Sequence, residues 1–269
     1  MKPPLWTNKE ILKGGEPIFL KGSKKTGVLL IHGWSSTPQE LRNTANYLNG
    51  LGYSVYAPLL RGHGTEPRDL IGLKWEDWLE DVCGAYDWFS QYASEIVVGG
   101  MSTGSLLALN LSQKREVEGI IAMGTPIFTK LRWRVIIRVL YWILRNRKLL
   151  KKMYRRREDR EVAQKKVHYA EFPPRSILEA SRMTSPTKKI IPKITAPILI
   201  MHSRPDSIVL PKSSEYLYDN VGSKEKELVF FENSYHVFTV DKHAGKAHQL
   251  MGNFIDRISH SKHQDPSTK

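Results

Sequence analysis

The stretch GMSTG at residues 100–104 lies directly between an apolar run at 95–99 and a helix-like stretch that begins at residue 103. Glycine on both sides of Ser102 permits a sharp turn from strand to helix, where larger side chains would clash with the neighbouring elements. The pentapeptide alone arises by chance in roughly one chain in ten of this glycine content. Its position between strand and helix therefore predicts an exposed, nucleophilic serine at the carboxyl end of a strand.

Short apolar runs rich in β-branched residues recur along the chain, with helical patterns between them. This alternation predicts an α/β fold with a doubly wound, mostly parallel sheet. The six runs lie at 27–31, 53–57, 95–99, 119–123, 197–201 and 227–231.

Helices are expected over 75–92, 103–114, 211–221 and 242–259, the last with Asp241 as its N-cap. A further helix is predicted between the first two strands. Its start combines Thr37 as N-cap, Pro38 at the first helical position and Glu40 as a capping-box residue.

Residues 127–193 interrupt the alternation and contain no convincing strand. We expect them to form an inserted helical cap, with residues 1–126 and 194–269 forming the core. The insertion also holds the positive charge of the chain, because its net charge is +15 while the remainder carries −1.

The composition excludes several classes of protein. Hydrophobic residues are 41% and charged residues 25%, which is typical of a globular chain. Cys83 is the single cysteine, so an internal disulfide and a cysteine-based zinc site are excluded. No apolar run follows the first residues as a secretory signal would, and a cytoplasmic location is expected.

A serine hydroxyl needs an imidazole to accept its proton and a carboxylate to orient that imidazole. In a fold of this kind the order along the chain is serine, acid, histidine, each on a loop after a strand. Asp206 and His236 meet these conditions, whereas the rival acid Asp219 lies in a helical stretch. Ser102, Asp206 and His236 are the predicted catalytic residues.

The other histidines have ordinary structural interpretations. His202 is expected to be a packed, hydrogen-bonded side chain, and His168 lies in the insertion. A solvated face of the last helix and the tail is expected to hold His243, His248, His260 and His263.

The developing oxyanion needs two backbone N–H donors. We expect one from Trp34, beside the flexible Gly33, and one from Thr103, with Met101 as the alternative second donor. Trp34, Val209 and Val237 are assigned to the substrate pocket, and no metal ligands are predicted.

Together these motifs resemble the carboxylesterase and monoacylglycerol lipase branch of the α/β-hydrolases. The motifs are HGW at 32–34, RGHG at 61–64, the turn at 100–104, Asp206 and SYHV at 234–237. The resemblance covers about residues 26–125 and 195–258 and implies the same triad, with a helical cap between the sixth and seventh core strands. It further implies esters with short to medium acyl chains as substrates, with no metal and no cofactor.

The sequence departs from that branch at two positions near the predicted pocket. Trp34 stands where phenylalanine is usual, and Ser105 where a second glycine often follows the turn. Either residue is expected to reshape the acyl pocket, while the RGHG stretch is interpreted as a structural loop.

Cations in the insertion fall on one helical stripe opposite an apolar side. This stripe is either a solvated outer face of the cap or a surface that docks to an anionic membrane. No motif of a nucleic-acid reader accompanies it. The cations are Arg134, Arg138, Arg145, Lys148, Lys152 and Arg155, and the apolar residues are Trp133, Ile136, Ile137, Leu140, Ile143 and Leu144.

The predicted function is that of a serine esterase or lipase acting on short- to medium-chain esters or monoacylglycerols. A thioesterase or acyltransferase would use the same triad. A cationic module that binds lipid or nucleic acid without catalysis is the alternative from another class.

Overall fold

The computed structural model describes residues 2–129, 149–152, 157–164 and 166–261. Seven strands form the main sheet in the order β1-β3-β2-β4-β5-β8-β9. Only the edge strand β1 is antiparallel to its neighbour, and every other pair is parallel. The seven strands are β1 (Ile18–Leu20), β2 (Thr26–Ile31), β3 (Ser54–Ala57), β4 (Glu95–Met101), β5 (Gly119–Met123), β8 (Ile198–Ser203) and β9 (Lys226–Phe231).

The predicted doubly wound, mostly parallel sheet is confirmed, and all six predicted strands are present. Strand β1 was not predicted, because three residues at a sheet edge carry too little periodicity. Alternate residues of the central strand β2 enter different cores: Leu29 and Ile31 join one cluster, and Val28 and Leu30 the other. Each face of the sheet is therefore covered, as parallel sheets require.

Helices cover both faces of the sheet. Side chains of α2 and α3 pack in one cluster and those of α1 and α8 in the other. The described helices are α1 (Arg42–Gly50), α2 (Trp75–Phe89), α3 (Thr103–Leu111), α4 (Arg157–Gln164), α5 (Pro174–Arg182), α6 (Thr184–Ile190), α7 (Lys212–Asn220) and α8 (Ala244–Ser261), with 3₁₀ turns at Pro38–Leu41, Pro67–Leu70, Ile191–Lys193 and Phe238–Val240.

Two predicted helix starts are wrong in detail. A 3₁₀ turn precedes α1, Thr37 makes no side-chain capping bond, and the Glu40 carboxylate binds elsewhere. Helix α8 begins at Ala244, three residues after Asp241, whose carboxylate accepts the His243 N–H at 2.7 Å.

The insertion departs from the prediction in two respects. It contains the short antiparallel pair β6 (Leu150–Lys151) and β7 (Glu171–Phe172), so the expectation of no strand is wrong; two-residue strands leave no pattern in a sequence. It also follows the fifth strand of the main sheet and precedes the sixth, because that sheet has seven strands. Its separation into a distinct cap domain stays a prediction.

Most of the cationic stripe lies outside the described residues, but Lys152 lies within them. Its side chain is partly buried, with the Nζ atom 5.5 Å from the centre of the Trp34 ring. Lys152 is therefore not part of a solvated outer face. Among the described helices, none is long and apolar enough to cross a membrane.

The turn at residues 100–104 depends on a close approach between α3 and the end of β2. A Cβ atom added at Gly104 would lie 2.2 Å from the Ile31 carbonyl oxygen and 2.7 Å from that of His32. These contacts are backbone, which yields less readily than the end of a flexible side chain. Glycine is therefore required at position 104.

We expect Gly104→Ala to lower the free energy of unfolding by at least about 2 kcal/mol, because the added methyl group has no space. Gly245→Ala is the matched control, since nothing lies within 4 Å of the added atom in the exposed first turn of α8. Urea unfolding followed by circular dichroism measures both. Equal effects of the two substitutions would contradict the packing described for Gly104.

Candidate active site

Ser102 connects β4 to α3 in a strained backbone conformation. Its φ is 53° and its ψ is −118°, a region that residues other than glycine rarely adopt. Hydrogen bonds hold both sides of the turn: the Ser102 N–H donates to the Met123 carbonyl at 2.7 Å, and Ser105 N–H donates to the Ser102 carbonyl at 2.9 Å. The candidate nucleophile is thus held at the carboxyl end of the central strands.

Ser105, one of the two departures from the related branch, supports this turn. Its hydroxyl is fully buried, donates to the Ser102 carbonyl at 2.6 Å and lies 3.0 Å from Thr125 Oγ1. The side chain therefore braces the turn.

His236 follows β9 and lies next to the end of β5. A Cβ atom added at Gly124 would be 3.3 Å from His236 Cε1. The preceding residue, Met123, accepts the backbone N–H of Ser102. The structure therefore brings the candidate base and the candidate nucleophile to the same strand end.

Asp206 orients the imidazole of His236. Its Oδ2 atom lies 2.6 Å from His236 Nδ1, and its Oδ1 atom accepts the N–H groups of Ile208 and Val209 at 2.7 and 2.9 Å. Burial raises the pKa of Asp206, but the interactions with His236 and His202 outweigh burial and leave the pKa well below its usual range. An ionised Asp206 keeps the proton on Nδ1, so that Nε2 is free to accept one.

His202 is packed and hydrogen-bonded, as its interpretation from the sequence requires. It is fully buried, with Nδ1 2.7 Å from Ser214 Oγ and Nε2 3.4 Å from Asp206 Oδ2. The rival acid Asp219 is exposed on α7. The structure therefore brings Asp206, and not Asp219, to His236.

One expectation for the last helix is wrong. His248 is buried, with its ring 5.6 Å from that of Tyr47, because it lies on the face of α8 that packs against α1. His243 is partly buried, 6.2 Å from the Phe231 ring, and His260 is exposed. His263 lies outside the described residues.

The candidate oxyanion donors flank Ser102. Gly33 lies beside it, since an added Cβ there would be 3.5 Å from Ser102 Cβ, and Trp34 is the next residue. Thr103 is the first residue of α3, where backbone N–H groups lack acceptors within the helix. Met101 ends β4 and pairs with Met123 in the sheet, which favours Thr103 as the second donor.

Glu40 is a residue whose role sequence reasoning missed. Its carboxylate is almost fully buried and accepts the Gly33 N–H at 2.6 Å, the Ser36 hydroxyl at 2.6 Å and the Lys166 ammonium at 2.9 Å. Burial raises the pKa of Glu40, but Lys166 and these hydrogen bonds lower it to about 2. The charged carboxylate fixes the peptide that precedes Trp34.

The insertion is attached to the same loop at further points. The Thr37 hydroxyl donates to the Val167 carbonyl at 2.8 Å, and the Tyr169 N–H donates to the Ser35 carbonyl at 2.9 Å. The Val167 N–H also donates to Gln39 Oε1 at 3.2 Å, so that with the Lys166 contact four links join residues 166–169 to the loop that carries Trp34. These bonds therefore hold the insertion against the loop that carries Trp34.

The RGHG stretch has the structural role expected of it. The Tyr169 hydroxyl accepts the Thr65 N–H at 2.9 Å and donates to the Gly62 carbonyl at 3.0 Å, while Arg61 pairs with the buried Asp81. These bonds hold the loop next to the insertion.

The predicted pocket residues have different surroundings. Trp34 is partly buried, with its ring edge to face with Phe172 at 4.9 Å. Val209 is fully buried and donates its N–H to Asp206, while Val237 packs against the second core cluster. Their contact with substrate stays a prediction. Among the described residues, no cluster of His, Cys, Asp or Glu is arranged to hold a metal ion.

We expect Glu40→Gln to lower the free energy of unfolding by about 3 kcal/mol at pH 7, because it leaves Lys166 without its counter-charge. The pKa of Glu40 is lower in the folded chain than its usual 4.5, so this stabilisation is present above about pH 4.5 and is lost as pH falls toward 2.

Glu66→Gln is the control, since Glu66 pairs with Lys9 on the surface, where ion pairs contribute below about 1 kcal/mol. Urea unfolding at several pH values measures both variants. Similar losses of stability in the two variants would show that the buried pair of Glu40 and Lys166 stabilises the protein no more than the surface pair of Glu66 and Lys9.

Comparison with known proteins identifies the family of the chain. The family model described as serine aminopeptidase, S33, matches residues 22–243. A thermostable monoacylglycerol lipase of Bacillus sp. (strain H-257) is 32% identical over 86% of this chain and 90% of its own length. A carboxylesterase of Bacillus subtilis (strain 168) is 25% identical over 90% of this chain and 97% of its own length.

Solved structures share the fold. A structure reported for two metagenome-derived lipolytic enzymes superimposes with a TM-score of 0.82 at 27% identity, over 92% of this chain and 100% of the other. A monoglyceride lipase from Saccharomyces cerevisiae gives 0.77 at 19% identity, over 90% of each chain, and shows the fold alone. With its fold and most of its length matched, the chain belongs to the S33 serine aminopeptidase family of α/β-hydrolases.

Proposed function

We propose that this chain hydrolyses carboxylic esters through a covalent acyl-enzyme formed on Ser102. The observation that carries the proposal is the 2.6 Å contact between Asp206 Oδ2 and His236 Nδ1, beside the strand end that holds Ser102. This arrangement leaves Nε2 of His236 as the base for the serine hydroxyl.

In the first half of the reaction, Ser102 Oγ attacks the ester carbonyl while His236 Nε2 takes the hydroxyl proton. The tetrahedral intermediate then collapses, and the alcohol leaves with the proton held by His236. In the second half, water donates a proton to His236 and attacks the acyl-enzyme. Collapse releases the carboxylic acid and returns the proton to Ser102.

The amides of Trp34 and Thr103 stabilise the negative charge on the oxygen of the intermediate. Thr103 N–H lies at the N-terminus of α3, where the helix dipole favours an anion. Trp34 N–H belongs to the loop that Glu40 fixes through Gly33. Neither donor needs to be reorganised as charge develops.

Two of its relatives are named monoacylglycerol lipase and carboxylesterase, and the chain is accordingly a serine ester hydrolase. We assign it short- to medium-chain acyl esters or monoacylglycerols as substrates. Acyl transfer, thioester hydrolysis and a non-catalytic role are not favoured by these relatives.

The family description also includes aminopeptidases, which bind the free amino group of a peptide. A carboxylate with unoccupied oxygens is the usual partner for such a group. In the described part of the site, Asp206 and Glu40 already have hydrogen-bond partners on both oxygens. This favours esters over peptides.

We expect Ser102→Ala and His236→Ala each to lower turnover by roughly 10⁴-fold or more, because the members of a triad act as a unit. Asp206→Asn should cost about 10⁴-fold, since the orienting carboxylate is lost. Hydrolysis of p-nitrophenyl butyrate measures the rates. Asp219→Asn is the control for the acid: greater damage there than at Asp206 would overturn the assignment.

We propose that the cations of the predicted stripe other than Lys152 contact anionic membrane surfaces. Each cation near such a surface contributes about 1 kcal/mol to the free energy of binding. We expect more sedimentation with anionic than with neutral vesicles, and less as salt rises from about 0.05 to 0.5 M. Arg138→Gln with Arg145→Gln should weaken binding, whereas Lys21→Gln with Lys224→Gln removes the same charge from exposed core positions and should not. Equal binding to both vesicle types would leave the stripe as a solvated face.

A further inference from the structure

Lys152 brings a partly buried side chain with its amine next to the loop that carries the proposed oxyanion donor. Its backbone N–H donates to the Ala170 carbonyl at 2.8 Å, which extends the pairing of β6 with β7. Its Nζ atom lies 5.5 Å from the centre of the Trp34 ring. The adjacent Lys151 is exposed, so of these two lysines Lys152 is the one whose amine lies against the protein.

The charged and titratable groups that act on Lys152 provide no free counter-ion. Lys166 is a second cation, and the Glu40 carboxylate already binds Lys166. Burial holds the pKa of His63 well below its usual range and lowers that of His168 to about 4, so both are neutral near pH 7. Within the described residues, no carboxylate pairs with Lys152.

Trp34 adds an unsatisfied donor. Its indole Nε1 atom is buried and has no hydrogen-bond partner among the described residues. Buried polar groups normally have a partner, so one that lacks a partner requires an explanation. An ammonium and an indole N–H on neighbouring side chains both require an oxygen acceptor.

We propose that Lys152 and the Trp34 indole N–H form a subsite for an anionic group, a carboxylate or a phosphate, carried by the ester substrate. This inference rests on the proposed function, because it names a substrate class for that site. The anion would lie on the acyl side or on the alcohol side of the scissile bond.

The electrostatics of Lys152 agree with this assignment. Burial and the nearby Lys166 charge lower the pKa of Lys152 to about 7. The amine is therefore partly charged near neutral pH, and a bound anion would favour its protonated form. A bound anion would offset the free-energy cost of removing this cation from water.

The subsite is close to the reacting atoms. Trp34 follows Gly33, where an added Cβ would lie 3.5 Å from Ser102 Cβ. Trp34 thus presents its backbone N–H to the oxyanion and its indole N–H to the subsite. An acid group a few bonds from the ester carbonyl would meet both donors.

The test compares two pairs of esters at about pH 6.5 and low salt. On the acyl side, p-nitrophenyl hexanoate is paired with mono-p-nitrophenyl adipate, which replaces the terminal methyl group by a carboxylate. On the alcohol side, 1-butyrylglycerol is paired with its 3-phosphate. The ratio of kcat/KM within each pair removes any effect of pH that acts equally on both members of the pair.

In one of the two pairs we expect the wild-type protein to prefer the anionic member by about tenfold or more, since charged hydrogen bonds away from water have this strength. Lys152→Met should abolish that preference, Lys152→Arg should retain part of it, and Lys151→Met is the matched control that should retain all of it. Thermal unfolding verifies that each variant folds.

Absence of an anionic preference in both pairs would overturn the inference, as would a preference that survives Lys152→Met. An equal loss on neutral and anionic members would assign Lys152 a structural role under the insertion. Failure of the proposed function would give a different result. Neutral esters would then not be cleaved either, or the Ser102→Ala variant would cleave them as fast as the wild-type protein.

Discussion

The close contact of Gly104 with the carbonyl oxygens of Ile31 and His32 is the constraint on which the site depends. It lets α3 begin directly against the end of β2, so that the turn between β4 and α3 must place Ser102 at positive φ. The loop after β2 then starts beside the serine, and α3 begins at the residue that follows it. A side chain at position 104 would separate these parts.

A buried carboxylate connects this turn to the insertion. Glu40 binds Gly33 on one side and Lys166 on the other, and further bonds from Thr37 and Ser35 hold residues 167 and 169. A displacement of the insertion would therefore be felt by the proposed oxyanion loop. A bond from the Lys152 N–H to the Ala170 carbonyl lies next to these contacts, and the Lys152 amine lies over the Trp34 ring.

The sheet could be predicted because each long strand is a β-branched run with its own periodicity, and the order of Ser102, Asp206 and His236 follows the order of the strands. The role of Glu40 could not be predicted, because its partner Lys166 lies 126 residues away along the chain. The residues around Glu40 also match the sequence pattern of a helix cap. The position of Lys152 was predicted wrongly because the helical stripe was extended over it, whereas Lys152 directly follows the strand β6. The burial of His248 depends on the packing of α8 against α1, which no pattern in the neighbouring sequence predicts.

The central claim is that Ser102 is the nucleophile, and covalent trapping tests it most directly. The protein is treated with a fluorophosphonate, and the intact mass and digested peptides are analysed. The account predicts one adduct per chain, on the peptide that contains Ser102. Ester hydrolysis should fall in proportion to the fraction of chains that carry the adduct, and the Ser102→Ala variant should form no adduct. An adduct on a different serine that accounts for the loss of activity, or full activity after Ser102 is modified, would contradict it.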